Sequence, residues 1–367
     1  MKTLLRPSGF GGQAQRRPSG FGGQAQRRPS GFGGQAQRRP AGYGRRAALL
    51  ALAIAWCGLV FVSAQAPAAR SPSSPVRPVP DPAATDISVV RVQKNVYMLA
   101  SRAGNVAVQI GDDGLLLVDT GTAPMAQKLF AAIRTLSNKP IHTIINTHLH
   151  ADHTGGNLAL VKLGAGGPQP PRVMGHENTY NRMVAAAVEA NANTPAAALP
   201  MDAFFTPTRD FFLNGEAIVL HHVPAAHTDG DTLVHFRGSD VVATGDVFNP
   251  DIYPVIDIAN GGTVNGTIAA LNRVLEITVP AKYQEGGTYV VPGHGRICDE
   301  AEVVEYRDMV TIIRDRVADL VKKGLTLDQV KAAKPSRDYD GDYGTTSGFW
   351  TTEMFVEAVY RTINATK

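Results

Sequence analysis

The stretch NTHLHADHTGGN, residues 146–157, constrains this chain more than any other, because four metal-binding side chains, His148, His150, Asp152 and His153, fall within six consecutive positions. It follows the β-rich run IHTIINTH, so a strand should deliver His148 at its C-terminal end, and Thr154-Gly155-Gly156 should open a helix beyond it. In extended chain alternate side chains share a side, so His148 and His150 emerge together. Asp152 and His153 follow where the chain turns. Four ligands this close overcrowd a single tetrahedral ion that keeps an open position for chemistry. The segment therefore calls for two ions and for further ligands from elsewhere.

Three candidates arrive, each at the end of a β-run beside small residues: His227 in VPAAHTDGD, Asp246 in ATGDVF and His294 in VVPGHGR. Sorting the seven gives His148, His150 and His227 to a first ion and Asp152, His153 and His294 to a second, with Asp246 between them. Nitrogen and oxygen donors without sulfur suit Zn²⁺, two per chain, and would also suit Fe or Mn. Asp229 and Asp231 are read as serving the turn after His227. Asn249, Tyr253 and Asn265 are candidates to face a substrate, by proximity in sequence to Asp246. His176, His221 and His222 are read as supporting or core histidines, with His222 placed behind the ligands.

From Ile87 onward, short strand-like runs alternate with turn residues, and then the period changes. Met125, Leu129, Ile133 and Leu136 lie on one helical face, and Val303, Tyr306, Val310, Ile313, Val317 and Leu320 on another, the latter closed by Gly324. RDFFLNGEAIVLHHV reads as a hairpin. Thr326 and Gln329 have capping-box spacing. Strands with helices before, between and after them predict an α/β layered sandwich, a single catalytic domain over residues 85–367.

The chain N-terminal to that domain has a different character. RPSGFGGQAQR occurs three times within residues 1–46, a Gly, Gln and Arg-rich tract with no apolar face, expected to be disordered. Residues 47–66 combine the apolar run AALLALAIAWCGLVFV with a small-residue exit, which reads as an export signal cleaved near Ala64, or as a membrane anchor if uncleaved. Residues 67–84 are Pro/Ser-rich and read as a linker. The leader holds ten of the 36 basic residues, so the formal charge of +4 becomes 26 − 32, or about −6, once it is removed. No nucleic-acid binding is expected of the mature domain, and membrane contact only through the leader. Beyond Cys57 in the leader the one cysteine is Cys298, so the domain folds without an internal disulfide.

The H-x-H-x-D-H motif, the upstream LLLVDTG and the later AAHTDGD, ATGDVF and PGHG, in this order, resemble the metallo-β-lactamase superfamily from about residue 88 to residue 325. The resemblance implies an αββα sandwich, the ligand sorting above, and a role for Asp119 in supporting the metal loop. Asp246 departs from zinc β-lactamases that carry a cysteine there and resembles glyoxalase II and the acyl-homoserine lactonases. VFNPDIYPVID after TGD departs from the persulfide dioxygenases. The C-terminal forty residues, including SGFWTTEMFVEAVY, match no subfamily pattern.

Zinc lowers the pKa of bound water from near 16 to about 7, so a metal-bound hydroxide attacking a small-molecule carbonyl compound is the expected chemistry. Asp152 is the candidate catalytic residue, orienting the hydroxide and relaying its proton. Export favours a β-lactam or lactone. A glyoxalase II-like thioesterase is the alternative if the leader is not an export signal, and a nuclease or nucleic-acid-binding protein is a further one.

Overall fold

The computed structural model describes residues 73–363. The expected repeats and signal segment lie outside the described residues. Among the described residues no helix is long and apolar enough to cross a membrane.

A seven-stranded sheet is built first: β1 (Ser88–Gln93), β2 (Val96–Ala100), β3 (Val106–Gly111), β4 (Gly114–Val118), β5 (Ile141–Ile145), β6 (Arg172–His176) and β7 (Asp202–Phe204), side by side in that order. The first four run antiparallel; β4 through β7 run parallel, because α1 (Ala126–Leu136), then α2 (Ala151–Thr154) with α3 (Asn157–Gly164), then α4 (Glu177–Glu189) provide the crossovers. The second sheet has the order β12-β11-β10-β9-β8, from β8 (Thr208–Leu213), β9 (Glu216–His222), β10 (Thr232–Phe236), β11 (Val241–Gly245) and β12 (Tyr289–Pro292). The hairpin read from RDFFLNGEAIVLHHV is β8 and β9, turning at Asn214 and Gly215, both with positive φ (52° and 83°).

Period-two alternation sets the layers. In β4, Leu116 and Val118 face the second sheet, meeting Ile218, Leu220, Val234 and Val241, while Leu115 and Leu117 face Leu129 and Ile133 of α1 and Leu160 of α3. The far face of the second sheet, with Leu233, Val242 and Val290, packs on α5 (Val264–Ile277), α6 (Glu300–Lys322) and α9 (Thr352–Ile363). The layers are thus helix, sheet, sheet, helix, as expected. The α6 helix starts in a capping box of Asp299 and Glu302 and ends at Gly324, φ 82°. Thr326 and Gln329 cap α7 (Leu327–Ala332), and α8 (Asp340–Tyr343) leads on toward α9. The C-terminal segment without a sequence pattern is therefore a structural layer, with Phe355 and Val359 fully buried in it.

Residues 73–84, the described part of the expected linker, do not stand off from the domain. Ser74 hydrogen-bonds Asp257, and Arg77 reaches Asp152 and Asp246. Polar and charged contacts hold this segment, and a reading based on its Pro/Ser composition does not see them.

Candidate metal centre

Every candidate ligand sits just past the C-terminal end of a strand or in the loop after one, along one rim of the sandwich. Asp119 follows β4, His148 to His153 follow β5, His227 lies between β9 and β10, Asp246 follows β11 and His294 follows β12. Asp119 takes a left-handed φ of 66°, a conformation Asp tolerates better than bulkier residues, and fixes the β5 exit from this position. Its Oδ1 accepts the Thr147 amide at 2.8 Å, and its Oδ2 accepts the Thr147 hydroxyl at 2.8 Å and His153 Nδ1 at 2.7 Å. The resemblance implied this supporting role, and the geometry is that of a residue tying the strand end to the first turn of α2.

His148, His150 and His227 converge. His148 Nε2 lies 3.1 Å from His150 Nδ1, which lies 2.9 Å from His227 Nε2. The remote ring nitrogens settle which lone pairs face inward. His227 Nδ1 donates to the Val255 carbonyl at 2.6 Å, and His150 Nε2 donates to Asp257 Oδ2 at 2.8 Å. His148 Nδ1 donates to the Thr147 hydroxyl at 3.0 Å, which itself donates to Asp119. Each histidine therefore turns an unprotonated nitrogen to a common point. Burial pushes His227 down to about 4 and His148 well below the ordinary range, so these two rings stay neutral and able to ligate.

Asp152, His153 and His294 form the neighbouring group, with Asp152 Oδ2 3.1 Å from His294 Nε2 and 3.8 Å from His153 Nε2. Asp246 stands between the two, sharing a third group of close ligand atoms with His148 and His153. Its Oδ1 lies 3.3 Å from His153 Nε2 and 3.7 Å from His294 Nε2. Buried His153 Nε2 and Asp246 Oδ1 have no hydrogen-bond partner, the arrangement a bound cation satisfies. Burial opposes charge on His153, yet the carboxylates of Asp246, Asp119 and Asp152 outweigh it and push its imidazole well up. Positive charge is wanted at this spot, and a metal ion between these donors would provide it.

Asp257 was not legible in the sequence. It is fully buried, accepts from His150, from Ser74 Oγ at 2.5 Å and from Asn260 Nδ2 at 2.6 Å, and so orients a ligand from 107 residues away. Burial raises its carboxyl, and these bonds outweigh burial and hold it well below the carboxylate range. Other expectations fail. His222 is not brought to the cluster: its ring stacks on His176 at 3.5 Å and its Nε2 donates to the Asp229 carbonyl, because β9 carries it toward α4. Tyr253 faces no substrate either. It is 1% exposed, stacks on Phe355 and donates to Asp340, so it belongs to the core under α9. Asn249 accepts the amide of Asp251 two residues on, and Asn265 accepts Arg314 Nη1 between α5 and α6, so both make structural bonds. Asp231 does serve its turn, accepting the amide and hydroxyl of Thr228, while Asp229 pairs with Arg182.

His150 and Asp152 are the candidate ligands that reach the surface of the cluster. They line a cavity of about 160 Å³ together with Arg77, Arg102 and Thr122.

Known proteins bear on this arrangement. The chain is 24% identical over 258 residues to a linear primary-alkylsulfatase of Pseudomonas sp., covering 59% of this chain and 47% of that protein. It is 29% identical over 148 residues to the 2,4-dinitroanisole O-demethylase subunit alpha of Nocardioides sp., covering 38% and 41%. The fold is similar to that of the stereoselective inverting sec-alkylsulfatase Pisa1 from Pseudomonas sp., with a TM-score of 0.55 and 18% identity over 77% of this chain and 51% of the other; a double mutant of that enzyme superposes with a TM-score of 0.59 over the same shares. The chain spans about half the length of these proteins or less. The sequence profile described as the metallo-beta-lactamase superfamily matches residues 100–297, which run from the end of β2 to just past His294 and take in the whole ligand set. Strand order, layer order and that match agree, and the chain belongs to the metallo-beta-lactamase superfamily.

Proposed function

We propose that the protein is a dinuclear zinc hydrolase, with His148, His150 and His227 holding one ion, Asp152, His153 and His294 the other, and Asp246 shared. The observation that carries this reading is the pair of buried, unpartnered acceptors, His153 Nε2 and Asp246 Oδ1, set beside three histidine nitrogens that converge on one point. When bound, such ions supply Lewis acidity and a water acidic enough to ionise near pH 7. The chain's own contribution is orientation: Asp257 aims His150, Val255 aims His227, and Asp119 aims His153 and, through Thr147, His148. Asp152 lies at the cavity wall and is the group placed to accept and pass on a proton.

The bond cleaved is proposed to be an ester or amide of a small carbonyl compound. A β-lactam or lactone is the favoured substrate for an exported protein, and no nucleic acid is proposed as a partner, given the acidic balance of residues 47–367. A sulfate ester is a second reading, because both a curated relative and a structural neighbour are alkylsulfatases. Metal analysis of the chain, followed by a screen over β-lactams, lactones, thioesters and alkyl sulfates, tests the proposal. One ion per chain at saturation would remove the shared role of Asp246. Two ions without turnover of any class would remove the hydrolase.

A further inference from the structure

We infer that Arg77 recognises an anionic group, a carboxylate or a sulfate, on the substrate, and that residues 73–80 are a wall of the substrate site and not a spacer. This rests on the hydrolase reading above and adds a substrate class to it.

The guanidinium is in place but not satisfied. Arg77 Nε lies 3.6 Å from Asp152 Oδ2 and Nη2 lies 3.8 Å from Asp246 Oδ2, close enough for charge attraction but too long for good hydrogen bonds. Its Nη2 is buried and has no hydrogen-bond partner. A guanidinium carries five N–H donors in a planar fork suited to a carboxylate or sulfate. It is also held from both ends of the domain. Its flat face lies 4.5 Å over the Phe349 ring, from the segment leading into α9, and the chain three residues earlier is tied down by Ser74, which donates to Asp257 and accepts from Asn260. Ordering a long side chain at this cost in freedom is expected where it meets a ligand.

Charge balance points the same way. Two divalent ions would be matched by the four carboxylates at the cluster, Asp119, Asp152, Asp246 and Asp257, and an ionised water would offset one of the cavity's two arginines, Arg77 and Arg102, leaving a net positive charge for an anion to meet. Arg102 makes no ion pair among the described residues. Both arginines line the cavity at His150 and Asp152, the open side of the cluster, so an anion entering there meets two cations and a fork with free donors. A neutral substrate would leave Arg77 beside ions of its own sign.

The test uses the full chain loaded with Zn²⁺, as wild type, R77A and R77K, with zinc content measured in each. Calorimetric binding of inorganic sulfate and of benzoate is one arm; KM and kcat for an aryl ester bearing a carboxylate, and for its methyl ester, are the other. R77A is expected to keep two zinc ions, to bind at least one of the two anions 10- to 100-fold more weakly, and to raise KM for the charged ester by a similar factor with kcat within threefold. The methyl ester should lose much less than the charged one, so that the ratio of their kcat/KM values falls by a similar factor, and R77K should recover part of that change by supplying charge without the fork. The larger loss between sulfate and benzoate identifies the preferred anion. Unchanged anion binding and an unchanged ratio between the two esters would overturn the inference. Equal acceleration of both esters in R77A would also overturn it, making residues 73–80 a plug. If wild type cleaves neither ester, the ester-hydrolase reading falls, and the binding arm still decides the role of Arg77.

Discussion

Replacing Asp119 by Asn, a change of one atom, should disable both metal positions at once. Both carboxylate oxygens of Asp119 accept, from the Thr147 amide at 2.8 Å, the Thr147 hydroxyl at 2.8 Å and His153 Nδ1 at 2.7 Å. An amide puts an NH₂ where one of those oxygens was. If it replaces Oδ2, it faces two donors, and the conflict is relieved only if His153 moves its proton to Nε2 and the Thr147 hydroxyl turns to donate to His148 Nδ1, 3.0 Å away. His148 then also carries its proton on Nε2. One ligand in each triad would present N–H to the metal position in place of a lone pair. Losing the outer partner of a ligating histidine costs about 10- to 100-fold in metal affinity, and losing hydrogen bonds to a charged group costs about 1.5–3 kcal/mol each. In D119N, competition titration with a chromophoric chelator should therefore show both ions weakened by at least tenfold, and thermal unfolding of the metal-free protein should show a lower Tm. T147V separates the two routes, since it removes the relay to His148 and leaves His153 on Asp119: the first ion should weaken and the second should not. Binding of both ions within threefold of wild type in D119N would refute the reasoning, and loss of the second ion alone would refute the relay through Thr147.

Other substitutions test other parts of the geometry. Gly293→Ala would place a Cβ 2.2 Å from Asp246 Oδ1 and 2.8 Å from His153 Cε1, so the shared carboxylate must move by about 1 Å; metal analysis should find fewer than two ions, with kcat reduced about 100-fold. Asp257→Asn should lower first-ion affinity by about tenfold or more without unfolding the domain, read by the same titration. Tyr253→Phe should cost about 1 kcal/mol in denaturant unfolding, from the bond to Asp340, and leave kcat/KM unchanged, as fits a core residue. Stability should also fall with acid. His176, held down to about 4 by burial and by His222, and His221, held down to about 4 by burial and by Arg273, are both nearly inaccessible to solvent. The unfolded chain takes up their protons near pH 6.5 and the folded chain only near 4, so their contribution is complete above pH 6.5 and is lost on going down to pH 4, by up to about 3 kcal/mol each. A stability profile flat across that window would contradict the assignment.

Local pattern carried much of the fold and of the clustering of the candidate ligands. His148, His150, Asp152 and His153 are close in sequence, and the end of a strand fixes how they emerge, so spacing alone brings them together. His227, Asp246 and His294 were legible because each closes a β-run beside small residues, and those runs end on the same rim. Asp257 was not, since a lone Asp in VID has no spacing relation to His150. Arg77 was hidden by its surroundings: proline and serine suggest a spacer, and the contacts that hold the segment are made to residues far along the chain. Tyr253 and His222 show the converse error. Nearness in sequence to a ligand says nothing of direction, and the chain after Asp246 turns under α9 while β9 points His222 toward α4.

The cavity beside the cluster joins parts of the chain that are remote in sequence. The candidate ligands occupy residues 148–294, on strand ends from both sheets, while the wall that a substrate would touch includes residues 74–80, with Phe349 from the far terminus behind Arg77. The cavity wall thus combines the N-terminal segment with Arg102, His150 and Asp152 of the ligand-bearing part. The N-terminal wall is nonetheless tied to the cluster through Ser74, which bonds the Asp257 that aims His150, so a chimera that exchanges residues 75–80 but keeps Ser74 and the α9 layer should keep its candidate metal ligands in place and change which substrates it takes.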